Sequence, residues 1–347
     1  MGRRRMGWLL LGMLLFPWAV SLGWMRYVGA EPGMERAEVE SAGGLSGPDE
    51  AAEPGGSDGA ADAGERGGAA EAAVPRTRRI CMERNGVSTY LELEDYLPGV
   101  VACQIPEGKE GEYSPETWRC QAVIARTYIC RLMGSREEIL EQELDLDYLG
   151  DYVRGIFANR EAAVARLELA EAACRDTWGA VMKYGGDYIL PLFHEESAGR
   201  TRPGAEQFPY LQPVDSGYGS GESPAREYQW DAGEFARRIG QIPGAEVPDP
   251  GQLSGQIQTL EKDSSGYLLK IQIGAKAYSG DEVQAALGLP SPYFRLEADN
   301  NTVRAVARGR GHGYGLSQNG ADRMAKEGWG YEDILFYYFK DIDLIFE

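Results

Sequence analysis

The pattern of apolar and polar positions divides the chain into three stretches. The run from Met6 to Met25 contains no charged side chain. Residues 30–74 consist mainly of Ala, Gly, Glu, Asp, Pro and Ser, with almost no aromatic or branched apolar side chain. Beyond Pro75, apolar positions recur at the periods of strands and helices. We therefore predict a basic tip and membrane segment at residues 1–29, a linker at 30–75 and a folded domain at 76–347.

The first stretch has the length of a membrane-spanning helix. At about 1.5 Å per residue, Met6 to Met25 would extend about 30 Å, enough to cross the hydrocarbon core. Three arginines precede it and a mostly acidic flank follows, which places the N-terminus in the cytoplasm and the folded domain outside. A cleaved signal peptide is the alternative, since Val28-Gly29-Ala30 has the small residues of a processing site. A retained single-pass anchor is favoured because signal-peptide apolar regions usually have about 7–15 residues.

Composition restricts the partners and the covalent framework of the chain. The linker lacks the apolar surface that offsets ordering entropy, so we expect a disordered tether. Of the formal charge of −19, about −14 belongs to the folded part, which argues against nucleic acid as a ligand. The five cysteines are odd in number and irregularly spaced, which does not indicate a disulfide framework. We expect them to be mostly buried small apolar residues.

Hydrophobic periodicity and turn signals predict hairpins and helices in irregular alternation. Asn85-Gly86 joins two extended runs, the strongest short hairpin signal. Ser114 and Pro115 have the residue types of a helix N-cap and first turn, and Pro98 is predicted in the first turn of another helix. The predicted hairpins cover 79–93, 178–193 and 256–274, the predicted helices cover 93–105, 115–132, 160–175, 281–287, 316–326 and 331–339, and an extended segment covers 303–308. This order predicts an α+β fold.

Three polar or glycine-rich segments carry the candidate chemistry. The first is YLPGVVACQIP at 96–106, which leads into QAVIARTY at 121–128; the second is FHEESAGRT at 193–201; the third is GRGHGYGLSQNGA at 309–321. The only two histidines, His194 and His312, lie in the second and third segments, and we expect both to be exposed to a cleft. Glycines let a backbone approach a ligand, and the following helix would offer free N–H groups near Leu316 and Ser317. A tight structural turn is the alternative.

These segments, in this order, resemble the stage II sporulation protein D and amidase-enhancer (SpoIID/LytB) family over about residues 91–344. The resemblance implies a membrane-anchored protein that acts on peptidoglycan glycan strands during engulfment of the forespore, at the mother-cell engulfing membrane. Active members are lytic transglycosylases that cut strands stripped of stem peptides, and other relatives are described as enhancers of a wall amidase. The implied partners are glycan strands, a wall amidase and other membrane proteins of the engulfment machinery.

One position departs from the pattern of active members. Gln104 stands where they have a glutamate that serves as acid and base, and an amide can do neither. Gln104 can still hydrogen-bond a sugar. Glu195, Glu196 or Glu107 could supply a displaced acid with a raised pKa. We favour the alternative that these three are solvated surface charges, because exposed glutamate is the usual case.

The expected glycan-contacting residues come from all three segments and their surroundings. Arg126 could instead be an ion-pair partner on a helix surface, and Glu206 a turn residue. The full expected set, besides Gln104, is Arg126, His194, Ser197, Thr201, Glu206, His312, Ser317 and Gln318.

We predict no metal and no cofactor. Some family members hold zinc with two histidines and a cysteine near the second segment, but Ser197, Ala198 and Arg200 supply no soft ligand here. A site from His194, His312 and Cys103 is conceivable, although no spacing demands it. Two functions remain open: an enzyme that has lost or moved its acid, and a non-catalytic scaffold that holds strands and stimulates a partner amidase.

Overall fold

The computed structural model of the chain describes residues 77–106, 113–150, 160–216, 223–299 and 301–347. The predicted membrane segment, the linker before residue 77 and Glu107 lie outside these ranges. Within the described ranges, no helix is both long and apolar enough to cross a membrane.

The regular elements are strands and helices in irregular succession. The first half contains β1 (Arg79–Arg84), β2 (Val87–Glu92), α1 (Leu93–Gln104), α2 (Pro115–Met133), β3 (Glu138–Leu140), α3 (Glu141–Leu144), α4 (Arg160–Asp176), β4 (Ala180–Tyr184), β5 (Asp187–Tyr188) and β6 (Phe193–His194). The second half contains β7 (Arg226–Asp231), α5 (Ala232–Ile239), a 3₁₀ turn (Pro250–Gln252), β8 (Ile257–Lys262), β9 (Leu268–Ile273), β10 (Lys276–Ser279), α6 (Gly280–Leu287), β11 (Phe294–Ala298), β12 (Thr302–Ala307), β13 (Leu316–Ser317), α7 (Gln318–Lys326), α8 (Tyr331–Tyr338) and β14 (Asp343–Phe346). The α+β prediction is confirmed.

The first core lies among α1, α2 and α4. We call these three helices and the β1–β2 hairpin the helical region. The Asn85-Gly86 turn has positive φ at both residues, as the predicted hairpin requires. Leu97, Trp118 and other apolar side chains of these elements form one buried cluster. The first-turn prediction for Pro98 is wrong: α1 follows β2 directly from Glu92, so Pro98 lies inside the helix.

The second core packs the small sheets β14–β4–β5 and β6–β13 against α2, α7 and α8. The predicted hairpin over 178–193 is only partly correct. Its second strand ends at Tyr188, because Leu190 and Leu192 are buried in this core. Phe193–His194 then pairs in parallel with Leu316–Ser317, so α7 begins at Gln318 and not at Leu316 as predicted.

A third core belongs to residues 223–307, which we call the inserted region because it lies in sequence between the two strands β6 and β13. Its sheets are β10–β9–β8 and β11–β12–β7, covered by α5 and α6. The predicted hairpin over 256–274 is confirmed as β8 and β9. Since the inserted region returns the chain to Gly309, it delivers the third segment to the second.

The five cysteines are unpaired, and all except the half-buried Cys103 are buried. This agrees with the expectation that they pack as small apolar residues.

Candidate functional site

The three segments meet at the start of α7. Ser317 pairs with His194 across β6 and β13. The next residue, Gln318, donates from Nε2 to the backbone carbonyl of Gln104 at 3.0 Å. The backbone N–H of Asn319 donates to the carbonyl of Glu195, also at 3.0 Å. Residues more than 200 positions apart in sequence therefore share one small volume.

Gln104 is part of a network of three amide side chains. Gln121 Nε2 donates to Gln104 Oε1 at 2.7 Å, and Gln318 Nε2 donates to Gln121 Oε1 at 3.0 Å. Gln121 and Gln318 are buried, whereas Gln104 is half-buried. Within the described residues, Gln104 Nε2 donates no hydrogen bond, so it is the donor that the network can offer to a ligand. Gln121 was missed in the sequence analysis, although it opens the QAVIARTY motif.

The glycines of the third segment bring it against the second segment. A Cβ on Gly315 (φ +66°) would lie 1.9 Å from the carbonyl oxygen of Leu192. A Cβ on Gly311 (φ +96°) would lie 2.8 Å from the Cβ of His194. The backbone N–H of Leu316 donates to Leu192 at 3.0 Å, so the expectation of a free N–H group there is wrong. These glycines allow the two backbones to pack closely, so any contact with a ligand here would be made by side chains.

Both histidines are buried, contrary to the expectation of exposure, because the glycine-rich third segment folds over the second. His194 is 3% exposed and His312 is 8% exposed, with ring centroids 5.9 Å apart. His194 Nδ1 lies 3.0 Å from the carbonyl oxygen of Tyr314, and His312 Nδ1 accepts from the N–H of Tyr314 at 3.0 Å. Burial lowers the pKa of His194 to about 4. Burial, followed by His194 and Arg202, lowers the pKa of His312 to about 3. Both rings are neutral at pH 7.

The histidine pair does not fit the zinc site that some family members carry. His312 uses Nδ1 as an acceptor within the loop, and among the imidazole nitrogens of the described residues only His194 Nε2 is buried without a hydrogen-bond partner. Cys103 packs against the first core. In the part of the chain that the structure describes, no three His, Cys, Asp or Glu side chains are grouped to hold a metal.

Glu195 and Glu196 both form ion pairs with arginines. Glu195 pairs with Arg310 at 3.4 Å, and Glu196 pairs with Arg226 at the start of β7. Glu196 is 4% exposed, so the expectation of a solvated surface charge is wrong for this residue. Its burial follows from Arg226 and from two backbone hydrogen bonds with Arg310. Neither carboxylate is placed as an unpaired acid.

A small polar pocket opens beside the start of α7. Ser317, its N-cap, accepts from the backbone N–H groups of Ser197 at 3.2 Å and Gly320 at 3.3 Å. The pocket is lined by Glu196, Ser197, Ser216, Ser317, Asn319, Gly320 and Arg323. Its hydroxyl, amide and guanidinium groups are hydrogen-bond donors and acceptors.

Arg126, Thr201 and Glu206 lie elsewhere than predicted. Arg126 is 1% exposed and holds Glu94 through two hydrogen bonds of 2.6 and 2.7 Å, so it is neither a cleft residue nor a surface ion pair. Its position in α2 faces the core because α1 and α4 pack on that face. Thr201 is also buried and accepts from the N–H of Val214 at 2.9 Å. Glu206 lies in an exposed turn, as its alternative interpretation held.

Arg202 was missed in the sequence analysis. It is 2% exposed, pairs with Asp263 at 3.0 Å and Asp281 at 3.3 Å, and lies against the rings of Tyr267 and Tyr314. Both aspartates belong to the inserted region, whereas Tyr314 belongs to the third segment. Arg202 therefore fastens the inserted region to the candidate site.

The sequence of the chain is similar to that of known sporulation proteins. The family model described as Stage II sporulation protein (SpoIID) matches residues 82–184. Stage II sporulation protein D of Bacillus subtilis (strain 168) is 29% identical over 268 residues, covering 72% of this chain and 73% of the relative. The protein of the same name from Bacillus amyloliquefaciens is 29% identical over 269 residues, covering 73% and 74%. An uncharacterized protein of Brachyspira hyodysenteriae is 24% identical over 260 residues, covering 74% and 67%.

The chain is thus a mixed α+β protein in which three distant segments meet, and its sequence is similar to that of sporulation proteins. The family model and the two Bacillus relatives confirm the resemblance to the SpoIID family that the sequence motifs indicated.

Proposed function

We propose that this sporulation protein binds peptidoglycan glycan strands at the start of α7 and cleaves them little or not at all. The observation that carries the proposal is the Gln104–Gln121–Gln318 network. By the sequence resemblance, Gln104 stands at the position of the catalytic glutamate of active members. The adjoining pocket supplies hydroxyl, amide and guanidinium groups, which are the donors and acceptors that sugars engage.

Chemistry favours binding over cleavage. A lytic transglycosylase protonates the glycosidic oxygen and then removes a proton from a sugar hydroxyl, and loss of such a general acid costs about 10²–10⁴ in rate. Glu195 and Glu196, the displaced-acid candidates within the described residues, are both paired with arginines. An amide donor at Gln104 can hold the sugar oxygen that an acid would protonate.

The proposal extends to location and partner. The uncharged run Met6 to Met25 behind three arginines supports a retained anchor with the folded domain outside the membrane. A strand-binding domain held there could present glycan to a wall amidase, and stimulation of such an amidase is the activity that the proposal assigns to it.

The test incubates the full chain in detergent micelles with stem-peptide-free glycan strands and follows both strand binding and the masses of any products. We expect binding without anhydro-ended fragments. The Gln104→Glu variant should gain cleavage if the rest of the catalytic apparatus is present, and Gln104→Ala serves as the control that removes the amide. Anhydro-ended fragments from the unmodified protein would overturn the non-catalytic assignment, and absence of binding would overturn the glycan assignment.

A further inference from the structure

One backbone carbonyl fixes the direction of the hydrogen bonds in the Gln104–Gln121–Gln318 network. The carbonyl of Gln104 lies in the last turn of α1, where no later residue of the helix can donate to it. It accepts instead from Gln318 Nε2 at 3.0 Å. A carbonyl oxygen can only accept, so the side-chain amide of Gln318 must present its nitrogen on this side and not its oxygen.

The direction set at Gln318 passes along the other two side chains. Gln318 Nε2 also donates to Gln121 Oε1 at 3.0 Å, so both hydrogens of this nitrogen are used. With its oxygen facing Gln318, Gln121 turns Nε2 toward Gln104 Oε1, at 2.7 Å. Reversing any one of the three amides would place two oxygens or two nitrogens against each other. Gln104 is therefore held with its oxygen toward Gln121.

The three side chains differ in how far a ligand can reach them. Gln121 is 1% exposed and Gln318 is 2% exposed, whereas Gln104 is half-buried. Among the described residues, Gln104 Nε2 has no hydrogen-bond acceptor. The network thus begins at a buried backbone group and ends at a donor on its most accessible member.

We propose that Gln121 is a positioning residue that, together with Gln318, turns the amide of Gln104 so that a ligand meets a hydrogen-bond donor. The ligand atom at Gln104 is then an oxygen that accepts. A glutamate at position 104 would accept the same hydrogen bond from Gln121 through one oxygen, so the arrangement would also orient a carboxyl group. The ligand rests on the proposed function, whereas the direction of the amides rests on the three hydrogen bonds alone.

The direction of the amides is tested without any ligand, by thermal melting of the full chain in detergent micelles at pH 7. Gln104→Glu keeps an oxygen for Gln121 Nε2, whereas Gln104→Met leaves that buried donor unpaired. The glutamate variant should therefore melt about 2–4 °C above the methionine variant. This advantage should disappear when both changes are made in a chain that carries Gln121→Met. A glutamate variant that melts below the methionine variant would overturn the direction, because a carboxylate is disfavoured opposite the oxygen of Gln121.

The positioning role is tested by the affinity of the full chain for stem-peptide-free glycan strands. Gln121→Met should weaken binding about fivefold, but it should have no effect in a chain that carries Gln104→Ala, because Gln121 acts only through Gln104. Gln284→Met is the matched control. Gln284 is also a buried helical glutamine that donates to a backbone carbonyl, that of Leu289 at 3.1 Å, but it lies in the inserted region. Its replacement should leave strand binding unchanged.

The outcomes separate this inference from the proposed function. If the unmodified protein binds strands and Gln121→Met binds them equally well, or loses affinity equally with Gln104 and with Gln104→Ala, the positioning role is overturned and the proposed function stands. If the unmodified protein binds no strands, the proposed function fails, and the order of the melting temperatures alone decides the direction of the amides. Gln318→Met, which removes the donor that sets the direction, replaces Gln121→Met if the latter does not fold.

Discussion

One buried arginine holds together the helical region, and another fastens the inserted region: Arg126 lies within the helical region, whereas Arg202 precedes the inserted region in sequence. In the helical region, Arg126 joins Glu94 of α1 to the backbone carbonyls of Cys174 and Ala180, at 3.1 and 3.2 Å. In the inserted region, Asp263 and Asp281 hold Arg202, whose Nη1 also donates to the carbonyl of His312 at 3.4 Å. Both guanidinium groups are almost completely buried.

The two arginines differ in what they position. Arg126 binds elements of the body of the domain to each other, including α1, which ends at Gln104. Arg202 joins two parts of the chain that have separate cores, and polar and ring contacts fix the third segment against the inserted region. The position of the Gln104–Gln121–Gln318 network therefore depends on folding of the helical region. The position of the loop at residues 309–316, which contains His312, depends on how the inserted region packs against it.

Replacing Arg126 should give the largest effect. Arg126→Met leaves Glu94 buried without its partner, and we expect the free energy of unfolding to fall by about 3–5 kcal/mol. Urea unfolding followed by circular dichroism measures the change. Arg119→Gln is the control, because Arg119 lies on the same helix in partly exposed ion pairs, where a loss below about 1 kcal/mol is expected. Equal losses in the two variants would contradict the structural role of Arg126.

Lowering the pH should reduce the free energy of unfolding, because His194 and His312 are buried in their neutral form. The histidines have folded-state pKa values of about 4 and about 3, below the usual 6.5 or so of the unfolded state. As the pH falls, the unfolded chain takes up protons before the folded chain does. The contribution of the two neutral histidines to the free energy of unfolding is therefore complete above about pH 6.5, and it is lost as the pH falls toward about 4 for His194 and about 3 for His312. Each histidine contributes up to about 1.4 kcal/mol per pH unit. Urea unfolding at several pH values should show a shallower slope for His312→Asn than for the unmodified chain, and identical slopes would count against the assignment.

Replacing Arg202 should have a smaller and more local effect. Arg202→Lys keeps the charge but loses the paired geometry to Asp263 and Asp281, and we expect a loss of about 2 kcal/mol. Because Asp281 is 32% exposed, water can partly replace the missing contact. Hydrogen exchange should accelerate in residues 309–316 while α1 keeps its protection. Uniform acceleration across both regions would show that the two regions unfold as one unit.

The smallest effect is expected within the inserted region. Ser279 caps α6 by accepting from the N–H of Glu282, whose carboxylate accepts from the N–H of Ser279 in return. Ser279→Ala should cost about 1 kcal/mol. If the inserted region folds with its own core, thermal denaturation should show a free energy of unfolding lower by that amount, and the affinity for glycan strands should not change. A change in binding would show tighter coupling between the regions than the contacts through Arg202 imply.

Local patterns in the sequence predicted the local structure and the identity of the motifs. The Asn85-Gly86 hairpin, the helix after Ser114 and the β8–β9 hairpin follow from turn chemistry and periodicity, which act over a few residues. Gln104 and Gln318 were predicted as site residues, and the structure brings them together. Which residue faces which partner depended on long-range packing: Phe193–His194 left its predicted hairpin to pair with β13.

The remaining differences concern burial of polar residues. Glycine-rich turns are usually exposed, so the sequence favoured exposed histidines, but here the glycines allow one segment to lie directly on another. Arg126 and Arg202 look like ordinary surface arginines in sequence, and only their distant carboxylate partners account for their burial. Such pairings leave no periodic signal in a single chain.

The parallel pair β6–β13 also has a consequence for the order in which the molecule assembles. His194 and Ser317 are joined only after the intervening 122 residues have been synthesised and the inserted region has returned the chain. The β14–β4–β5 sheet likewise forms only after β14, near the C-terminal end, has been synthesised and can pair with β4. Contacts of such large sequence separation form slowly, because loop closure must precede them. A chain synthesised from its N-terminus therefore completes the candidate site late, after most of the described residues have been made.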